Sequence, residues 1–356
     1  YIDLPGPRYD TLLDDYEEGM TTDILREEFI ILKKKLKTIL DKVLSSDTYE
    51  HQQDLLIKFP KNVQQNICNH IFNQMNLPSD ASRIDESAHP FTTSLGNDDV
   101  RITTNYDHEN PLFSFFSTVH EAGHALYELG MPTGKYKDTA IADSPSLGLH
   151  ESQSRFWENM IARSKHFWEY YYPEFKNHAE SQMNDVSFET WYRHVNTVKP
   201  SFIRVEADEL TYCLHVILRF ELESDLMEEK LNVDELPQAW NEKMNESLGI
   251  TPPTDKEGVL QDMHWSGGAI GYFPTYAIGT IYASQLFNQL IKDRPETIED
   301  IKKGKFSNIL SWLRNNVHQY GRMMTADEII KKTCGEGLNA EKFTSYLSDK
   351  YFNLYD

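Results

Sequence analysis

The sequence predicts a mainly α-helical protein that carries one small β ribbon. Most of the chain spaces its apolar residues as amphipathic helices do, whereas only residues 83–106 combine β-branched residues with a turn signal. The chain also contains no repeat, no low-complexity segment and no clear interdomain linker. Because 356 residues can enclose one large core, the simplest interpretation is a single helical domain that spans residues 1–356.

The first half of the chain provides two helices and the ribbon. Residues 21–45 begin with threonines suited to an N-cap, and a second helix is predicted at residues 61–75. Residues 83–106 surround a Gly-Asn-Asp-Asp turn, which favours a β-hairpin. The predicted buried stripe of the first helix consists of Ile24, Phe29, Leu32, Leu36 and Leu40.

The remaining elements are predicted to be helices and loops. A helix ends at Gly130 and Pro132, and after a loop a long helix is predicted from about residue 149 to residue 170. Another helix begins near Arg204, and a loop rich in Pro, Gly and Thr covers residues 250–275. We expect the last 80 or so residues to form four helices.

Composition excludes several classes of function. A formal net charge of −21 argues against binding to nucleic acid or to anionic membranes, because both select basic surfaces. Three widely spaced cysteines indicate neither a disulfide framework nor a cysteine-based zinc site, and they fit a cytoplasmic protein. No apolar run approaches membrane-spanning length, and no signal peptide is recognisable.

The run His120-Glu121-Ala122-Gly123-His124 has the spacing of a metal site. Positions i and i+4 lie on the same face of a helix, so both imidazoles can reach one zinc ion. Glu121 then lies beside any water that the metal binds. The alternative is two surface histidines on an ordinary helix.

A catalytic zinc needs a third protein ligand and one open position for water. Glu151, a few tens of residues after His124 near the start of the next predicted helix, is the best candidate. This arrangement is that of the gluzincin peptidases, although a solvated glutamate at a helix start is the alternative. The adjacent His150 points elsewhere on a helix, and we interpret it as supporting the ligands or contacting substrate.

This ligand set suggests hydrolysis. Zinc lowers the pKa of bound water and polarises a carbonyl, and Glu121 can take the proton of that water and pass it to the leaving amine. The tetrahedral oxyanion needs a further donor, for which His264, Tyr272 and Tyr276 in a Gly-rich segment are candidates. Aromatic packing under a loop would explain these residues equally well.

Arginines distinguish an exopeptidase from an endopeptidase, since a guanidinium best holds the free carboxylate of a substrate C-terminus. Arg101 and Arg204 stand in unusual contexts. Either could instead form a structural ion pair, with Asp99 or Asp208 as partner. Composition alone leaves this choice open.

Several short segments together resemble the thermostable, Taq-type metallocarboxypeptidase family, and the similarity runs from about Tyr9 to the C-terminus. Six motifs in family order make this resemblance specific. They are His89-Pro90-Phe91, Asp99-Val100-Arg101-Ile102-Thr103, His120-Glu121-Ala122-Gly123-His124, His150-Glu151-Ser152-Gln153, Ile203-Arg204-Val205-Glu206-Ala207-Asp208, and Gly258-Val259-Leu260-Gln261-Asp262-Met263-His264-Trp265.

The resemblance implies a metal-dependent carboxypeptidase of broad specificity with a helical fold and a deep cleft, like neurolysin and angiotensin-converting enzyme. It implies one zinc or cobalt ion per chain and a homodimer. His120, His124 and Glu151 would bind the ion, and Glu121 would act as general base.

The same resemblance assigns the substrate contacts. Arg204 becomes the first choice for the substrate carboxylate, while His89 and Arg101 would shape the closed end of the cleft. The YFPTY run favours Tyr272 over Tyr276 as the oxyanion donor.

The sequence departs from the family in one large respect. Members carry a long further region before the part that matches Tyr1, so this chain is a fragment, one piece of a cut protein with a separate N-terminal fragment, or a short homologue. Separately, in many gluzincins an acid one turn after the third ligand supports a zinc-bound histidine, but here that place is Arg155. Glu128, Asp143 and Glu158 are candidate substitutes.

Three hypotheses follow. The first is a strict carboxypeptidase, and the second is an endopeptidase or dipeptidyl carboxypeptidase with the same zinc chemistry. The third is a non-catalytic remnant, against which the intact set of His120, Glu121, His124 and Glu151 argues.

Overall fold

Helices make up most of the computed structural model, which describes residues 6–52 and 55–356, and the predicted mainly helical class with a small sheet is confirmed. A π-helical turn at Phe156–Ala162 interrupts the series. The α-helices of the described chain are α1 (Arg8–Asp14), α2 (Thr22–Leu44), α3 (Asp47–Glu50), α4 (Lys61–Gln74), α5 (Pro111–Glu128), α6 (Leu147–Arg155), α7 (Lys165–Ala179), α8 (Phe188–Val195), α9 (Tyr212–Met227), α10 (Leu236–Leu248), α11 (Pro274–Asp293), α12 (Thr297–Ile301), α13 (Ser307–Asn316), α14 (Ala326–Cys334) and α15 (Ala340–Tyr355).

The sheet has three strands, β1 (Ser82–Glu86), β2 (Thr92–Gly96) and β3 (Asp99–Thr104), in the order β1-β3-β2. β2 and β3 form the predicted antiparallel hairpin. β1 pairs with β3 in parallel, which the local pattern did not distinguish because this pairing joins strands that are not consecutive. The order leaves β2 as an edge strand.

Helix α2 illustrates how the sequence forms its elements. The side chain of Thr21 accepts a hydrogen bond from the backbone N–H of Ile24 and so caps the first turn. The predicted stripe is wrong at one position: Ile24 is 43% exposed, whereas Leu25 is fully buried. Leu25 lies four residues before Phe29 and so shares its face, while Ile24 lies about 100° away around the helix.

The predicted helix from 149 to 170 is divided in two. α6 and the π-helical turn end before Ser164, whose hydroxyl accepts a hydrogen bond from the backbone N–H of Phe167 at 3.1 Å and caps α7. A capping serine inside an amphipathic run stops one helix and starts another, although the apolar spacing continues.

Two further boundaries differ from expectation. Only a 3₁₀ turn, Arg204–Glu206, forms at the predicted start near Arg204, and α9 begins at Tyr212. Asp208 causes this separation, because its carboxylate accepts hydrogen bonds from the backbone N–H groups of Leu210 and Thr211. The C-terminal part holds five α-helices, α11 to α15, rather than four, since short α12 lacks the length that periodicity reveals.

Close helix packing fixes the position of α6, which contacts both α5 and α11. A Cβ atom at Gly123 on α5 would lie 2.7 Å from the Cα of Ser154, and one at Gly279 on α11 would lie 2.7 Å from the Cβ of Glu151. Both glycines therefore let α6 approach its neighbours more closely than any larger residue allows. None of the helices among the described residues has the length and apolar character that a membrane span requires.

Candidate metal centre and active site

The two-histidine run lies on α5 and faces Glu151 on α6. The Nε2 atoms of His120 and His124 lie 3.6 and 3.5 Å, respectively, from Oε2 of Glu151. A tetrahedral zinc ion about 2.1 Å from each ligand atom would separate those atoms by about 3.4 Å. The three donor atoms therefore lie close enough together to hold one metal ion, and their role as ligands stays a prediction.

Glu158 holds the edge of the His120 ring that faces away from the candidate metal site. Its Oε2 lies 2.9 Å from Nδ1 of His120, which leaves Nε2 directed at Glu151. Of the three acids considered from the sequence, Glu158 thus contacts a candidate ligand, whereas Glu128 bonds His150 at 2.8 Å. A carboxylate on the second ring nitrogen fixes the tautomer that a metal needs.

Arg155 links the two buried acids. Its Nε donates to Oε1 of Glu151 at 2.7 Å, and its Nη1 donates to Oε2 of Glu158 at 3.1 Å. Glu151 and Arg155 lie four residues apart on α6, and Glu158 follows three residues later in the π-helical turn, so the three side chains meet in one stripe. Glu151 therefore uses Oε1 for Arg155, whereas its Oε2 faces the two imidazoles.

The electrostatics of the centre hold its acids ionised. Burial alone would raise the pKa of Glu151 and Glu158, but Arg155 and the histidine side chains hold both pKa values well below the usual range. Burial and the neighbouring His150 lower the pKa of His124, whose ring stacks on that of His150 at 4.5 Å. A neutral imidazole and an ionised carboxylate are the metal-binding forms.

The edge strand of the sheet holds Glu121. The hydroxyl of Thr92 on β2 donates to Oε2 of Glu121 at 2.6 Å, and Glu121 is 8% exposed. Its carboxylate is thus oriented by a residue outside its own helix. The sequence did not single out Thr92, because no local pattern shows which strand borders α5.

The three oxyanion candidates form one aromatic cluster. Nε2 of His264 lies 3.1 Å from the hydroxyl of Tyr276, and the His264 and Tyr272 rings are 5.0 Å apart. Burial and the negative charge of Glu151 raise the pKa of Tyr272, so this tyrosine stays protonated beside the metal ligands. Burial and Arg204 lower the pKa of His264 to about 4, which keeps its ring neutral.

Arg204 lies in the same region, in a buried ion pair. It is 5% exposed and donates to Asp262 at 2.7 Å through Nη2 and to the hydroxyl of Tyr212 at 3.1 Å through Nη1. Its acidic partner is therefore Asp262, not Asp208 as the sequence alternative assumed. Arg155 stacks over the Tyr212 ring at 4.3 Å, which connects Arg204 to the metal-ligand stripe.

Arg101 lies on β3, and His89 lies in the turn before β2. Arg101 pairs with Asp99 at 2.7 Å, on the strand face opposite to buried Val100 and Ile102, and His89 is exposed in the turn before β2. The structure thus does not bring these two residues into the cluster around Glu151. Their expected contribution to the end of a cleft remains a prediction.

A family model described as carboxypeptidase Taq (M32) metallopeptidase matches residues 1–351. The chain belongs to this family. It is accordingly a metallocarboxypeptidase, a hydrolase of peptide bonds, and the resemblance predicted from the six motifs is confirmed. M32 membership also implies a divalent metal, for which His120, His124 and Glu151 supply the matching donor set.

Individual relatives support the assignment over almost the whole M32 chain. Carboxypeptidase 1 of Bacillus subtilis (strain 168) is 42% identical over 347 residues, which cover 98% of this chain and 69% of the relative. Thermostable carboxypeptidase 1 of Pyrococcus furiosus is 43% identical over 353 residues, or 99% of this chain and 70% of the relative. A solved structure of Pyrococcus furiosus carboxypeptidase matches with a TM-score of 0.94 at 42% identity and covers 99% of this chain and 71% of that one.

The sequence did not indicate three supporting roles in this M32 chain. These are Thr92 as the partner of Glu121, Arg155 as the link between Glu151 and Glu158, and Asp262 as the partner of Arg204. Arg155 could have been found, because it lies four residues after Glu151 and three before Glu158 on one helix face. Thr92 and Asp262 gave no such signal, since each meets its partner across a long stretch of chain.

Proposed function

We propose that this metallocarboxypeptidase is a zinc enzyme, with cobalt as a substitute, that removes C-terminal residues from peptides with broad specificity. The observation that carries the proposal is the ligand geometry of His120, His124 and Glu151, with Glu121 adjacent to the first ligand. Two histidines and a glutamate leave a tetrahedral ion one open position, as a hydrolytic site requires.

When bound, the zinc ion lowers the pKa of a water molecule and polarises the scissile carbonyl. The hydroxyl of Thr92 holds the carboxylate of Glu121 in place, and this carboxylate would take a proton from the attacking water and pass it to the leaving amine. Tyr272 donates a hydrogen bond to the tetrahedral oxyanion. His264 positions Tyr276 beside it through their 3.1 Å contact.

Arg204 anchors the free carboxylate of the substrate. Asp262 accepts hydrogen bonds from both Arg204 and Arg219, so these three side chains together carry one net positive charge. In a chain with a net charge of −21, such a local excess of positive charge supports recognition of an anion. Arg101 and His89 border the far end of the binding site.

The proposal includes a deep cleft of the neurolysin and angiotensin-converting-enzyme type, with β2 as the edge strand beside the HEAGH helix α5. It also includes a cytoplasmic location and assembly as a homodimer or with a separate N-terminal fragment. The family assignment supports the peptide substrate, and the negative charge supports the absence of nucleic-acid and membrane partners.

C-terminally amidated peptides test the exopeptidase proposal. With Zn²⁺ or Co²⁺ present, we expect release of single C-terminal residues from free-acid peptides. Amidated versions of the same peptides should be cut at least about 30-fold more slowly, because the ion pair with Arg204 is lost. Chromatography of the products gives the measurement. Rapid cleavage of the amides would indicate an endopeptidase, dipeptide products would indicate a dipeptidyl carboxypeptidase, and no hydrolysis would indicate a non-catalytic remnant.

Arg204→Ala should lower kcat/KM for free-acid peptides by the equivalent of about 2–5 kcal/mol, the cost of removing one partner from a buried charge pair. Arg101→Ala is the comparison, since it removes the other arginine proposed for the binding site, and it should change the ratio less because Arg101 is more exposed and pairs with Asp99. The readout is the ratio of free-acid to amide cleavage, since impaired folding lowers both rates equally. If Arg101→Ala shows the loss and Arg204→Ala does not, the two roles are exchanged.

A further inference from the structure

A second cluster of two histidines and a glutamate lies between α4 and α7. His70 projects from α4, whereas Glu174 and His178 project from successive turns of α7. The Nε2 atoms of His70 and His178 lie 3.7 and 3.4 Å, respectively, from Oε1 of Glu174. Both imidazoles therefore converge on one carboxylate oxygen.

This arrangement reproduces the donor geometry of the catalytic centre. There, the corresponding separations between histidine Nε2 and Glu151 Oε2 are 3.6 and 3.5 Å. A tetrahedral ion requires about 3.4 Å between its ligand atoms, so the second cluster meets the same condition. Two imidazoles with one carboxylate suit zinc or a similar transition metal better than Ca²⁺ or Mg²⁺, which prefer oxygen ligands.

The outer edge of His70 is also held as in a metal site. Its Nδ1 lies 3.0 Å from the hydroxyl of Tyr171, a fully buried residue. An Nδ1–H that donates to this hydroxyl leaves the Nε2 lone pair directed at Glu174 and His178. Partners of this kind on the second ring nitrogen accompany most metal-ligating histidines.

His178 supplies an independent indication. Its Nε2 atom is buried and has no hydrogen-bond partner of acceptable geometry among the described residues, although Glu174 lies nearby. A buried ring nitrogen without a partner costs free energy unless another ligand satisfies it. A metal ion at the centre of the cluster would do so.

The two helices hold the cluster rigidly. On α7, Tyr171 and Phe175 pack against Phe115 of α5, with ring centroids 5.7 and 5.8 Å away. Metal sites on packed helices keep their geometry better than sites on loops. The half-buried ligand side chains leave the remaining coordination positions to water.

We propose that His70, Glu174 and His178 form a second divalent-metal site of the zinc class, separate from the catalytic centre, which clamps α4 to α7. Because α4 packs directly on α5, this ion stabilises the support of the catalytic helix and takes no part in peptide hydrolysis. The site adds a second ion to the one that hydrolysis requires.

Metal analysis tests this site. The full chain is stripped with a chelator, dialysed against buffered micromolar Zn²⁺ and analysed for zinc. We expect about two ions per chain, and about one in the double variant His70→Gln/His178→Gln, with peptidase activity retained. His166→Gln is the matched control, since it removes a histidine 3.5 Å from Glu169 on the same helix and should leave about two ions.

The outcomes separate this proposal from that of the active site. One ion per chain with full peptidase activity, or two ions retained by the double variant, overturns the second site and leaves the catalytic assignment intact. One ion that disappears in the double variant, without peptidase activity in either chain, supports the second site and contradicts the first.

Thermal unfolding gives a second readout that does not depend on the folding of the double variant. In a Glu151→Ala background, which lacks a catalytic ligand, saturating Zn²⁺ should raise Tm by about 3–5 °C through the second site. Adding Glu174→Gln, which keeps the side-chain shape, should abolish that rise. An equal rise in both variants contradicts the proposal.

Discussion

Replacing Glu121 with glutamine is expected to lower kcat by about 10²–10⁴-fold, the contribution of a positioned general base. The amide cannot take a proton from water, but its oxygen can still accept the hydrogen bond from Thr92, so α5 keeps its position. His120 and His124 are unchanged, and the variant should therefore bind as much zinc as the unsubstituted chain. Steady-state kinetics and metal analysis on the same preparation give the measurement.

The matched control for this substitution is Glu341→Gln, which neutralises an exposed carboxylate in the first turn of α15. It should leave kcat unchanged. Full turnover by Glu121→Gln, with zinc bound, would show that another group takes the proton. Metal analysis also distinguishes loss of the base from loss of the metal. A variant that is inactive because it has lost its zinc would contain less zinc than the unsubstituted chain.

Glu151→Ala is expected to abolish peptidase activity by releasing the catalytic ion. Only two protein ligands remain, and even outer partners of a ligand contribute 10–100-fold to metal affinity, so we expect a loss of more than about 100-fold. Alanine keeps the Cβ atom that packs against Gly279, and Arg155 keeps its bond to Glu158, so the helix contacts persist. After dialysis the variant should hold one zinc ion fewer per chain than the unsubstituted protein.

Glu158→Gln provides a graded comparison for Glu151→Ala. It alters the group 2.9 Å from Nδ1 of His120 without removing a ligand, so zinc affinity should fall by only about 10–100-fold. Activity should then return at high Zn²⁺ concentration, which Glu151→Ala should not show. Unchanged zinc content in Glu151→Ala after dialysis would refute its role as a ligand.

Both substitutions address residues whose roles depend on local spacing. The His120 and His124 imidazoles share a helix face because the α-helix repeats every 3.6 residues, and the same repeat aligns Glu151 with Arg155. Such relations are readable in one sequence, since they need only the assumption of a helix. The spacing of Arg155 from both acids, four residues after Glu151 and three before Glu158, is readable as well.

Other contacts could not be predicted because they join distant parts of the chain. Arg204 pairs with Asp262 rather than with nearby Asp208, and the Asp208 carboxylate instead accepts backbone hydrogen bonds in the turn before α9. A local bond has a separate effect: the hydroxyl of Ser164 accepts a hydrogen bond from the backbone N–H of Phe167 and so divides a predicted continuous helix. Side-chain bonds of this kind compete with periodicity and are decided by the surrounding packing.

The sequence by itself determined the mainly helical class, the family and the residue types of the metal centre, because helix periodicity and short motifs express local geometry. Only the tertiary structure decided which acid supports His120, that Thr92 orients Glu121, and that His70 meets Glu174 and His178 across two helices. These contacts arise where α4, α5, α6, α7 and the sheet edge pack together. The packing of the whole core therefore determines which distant side chains meet.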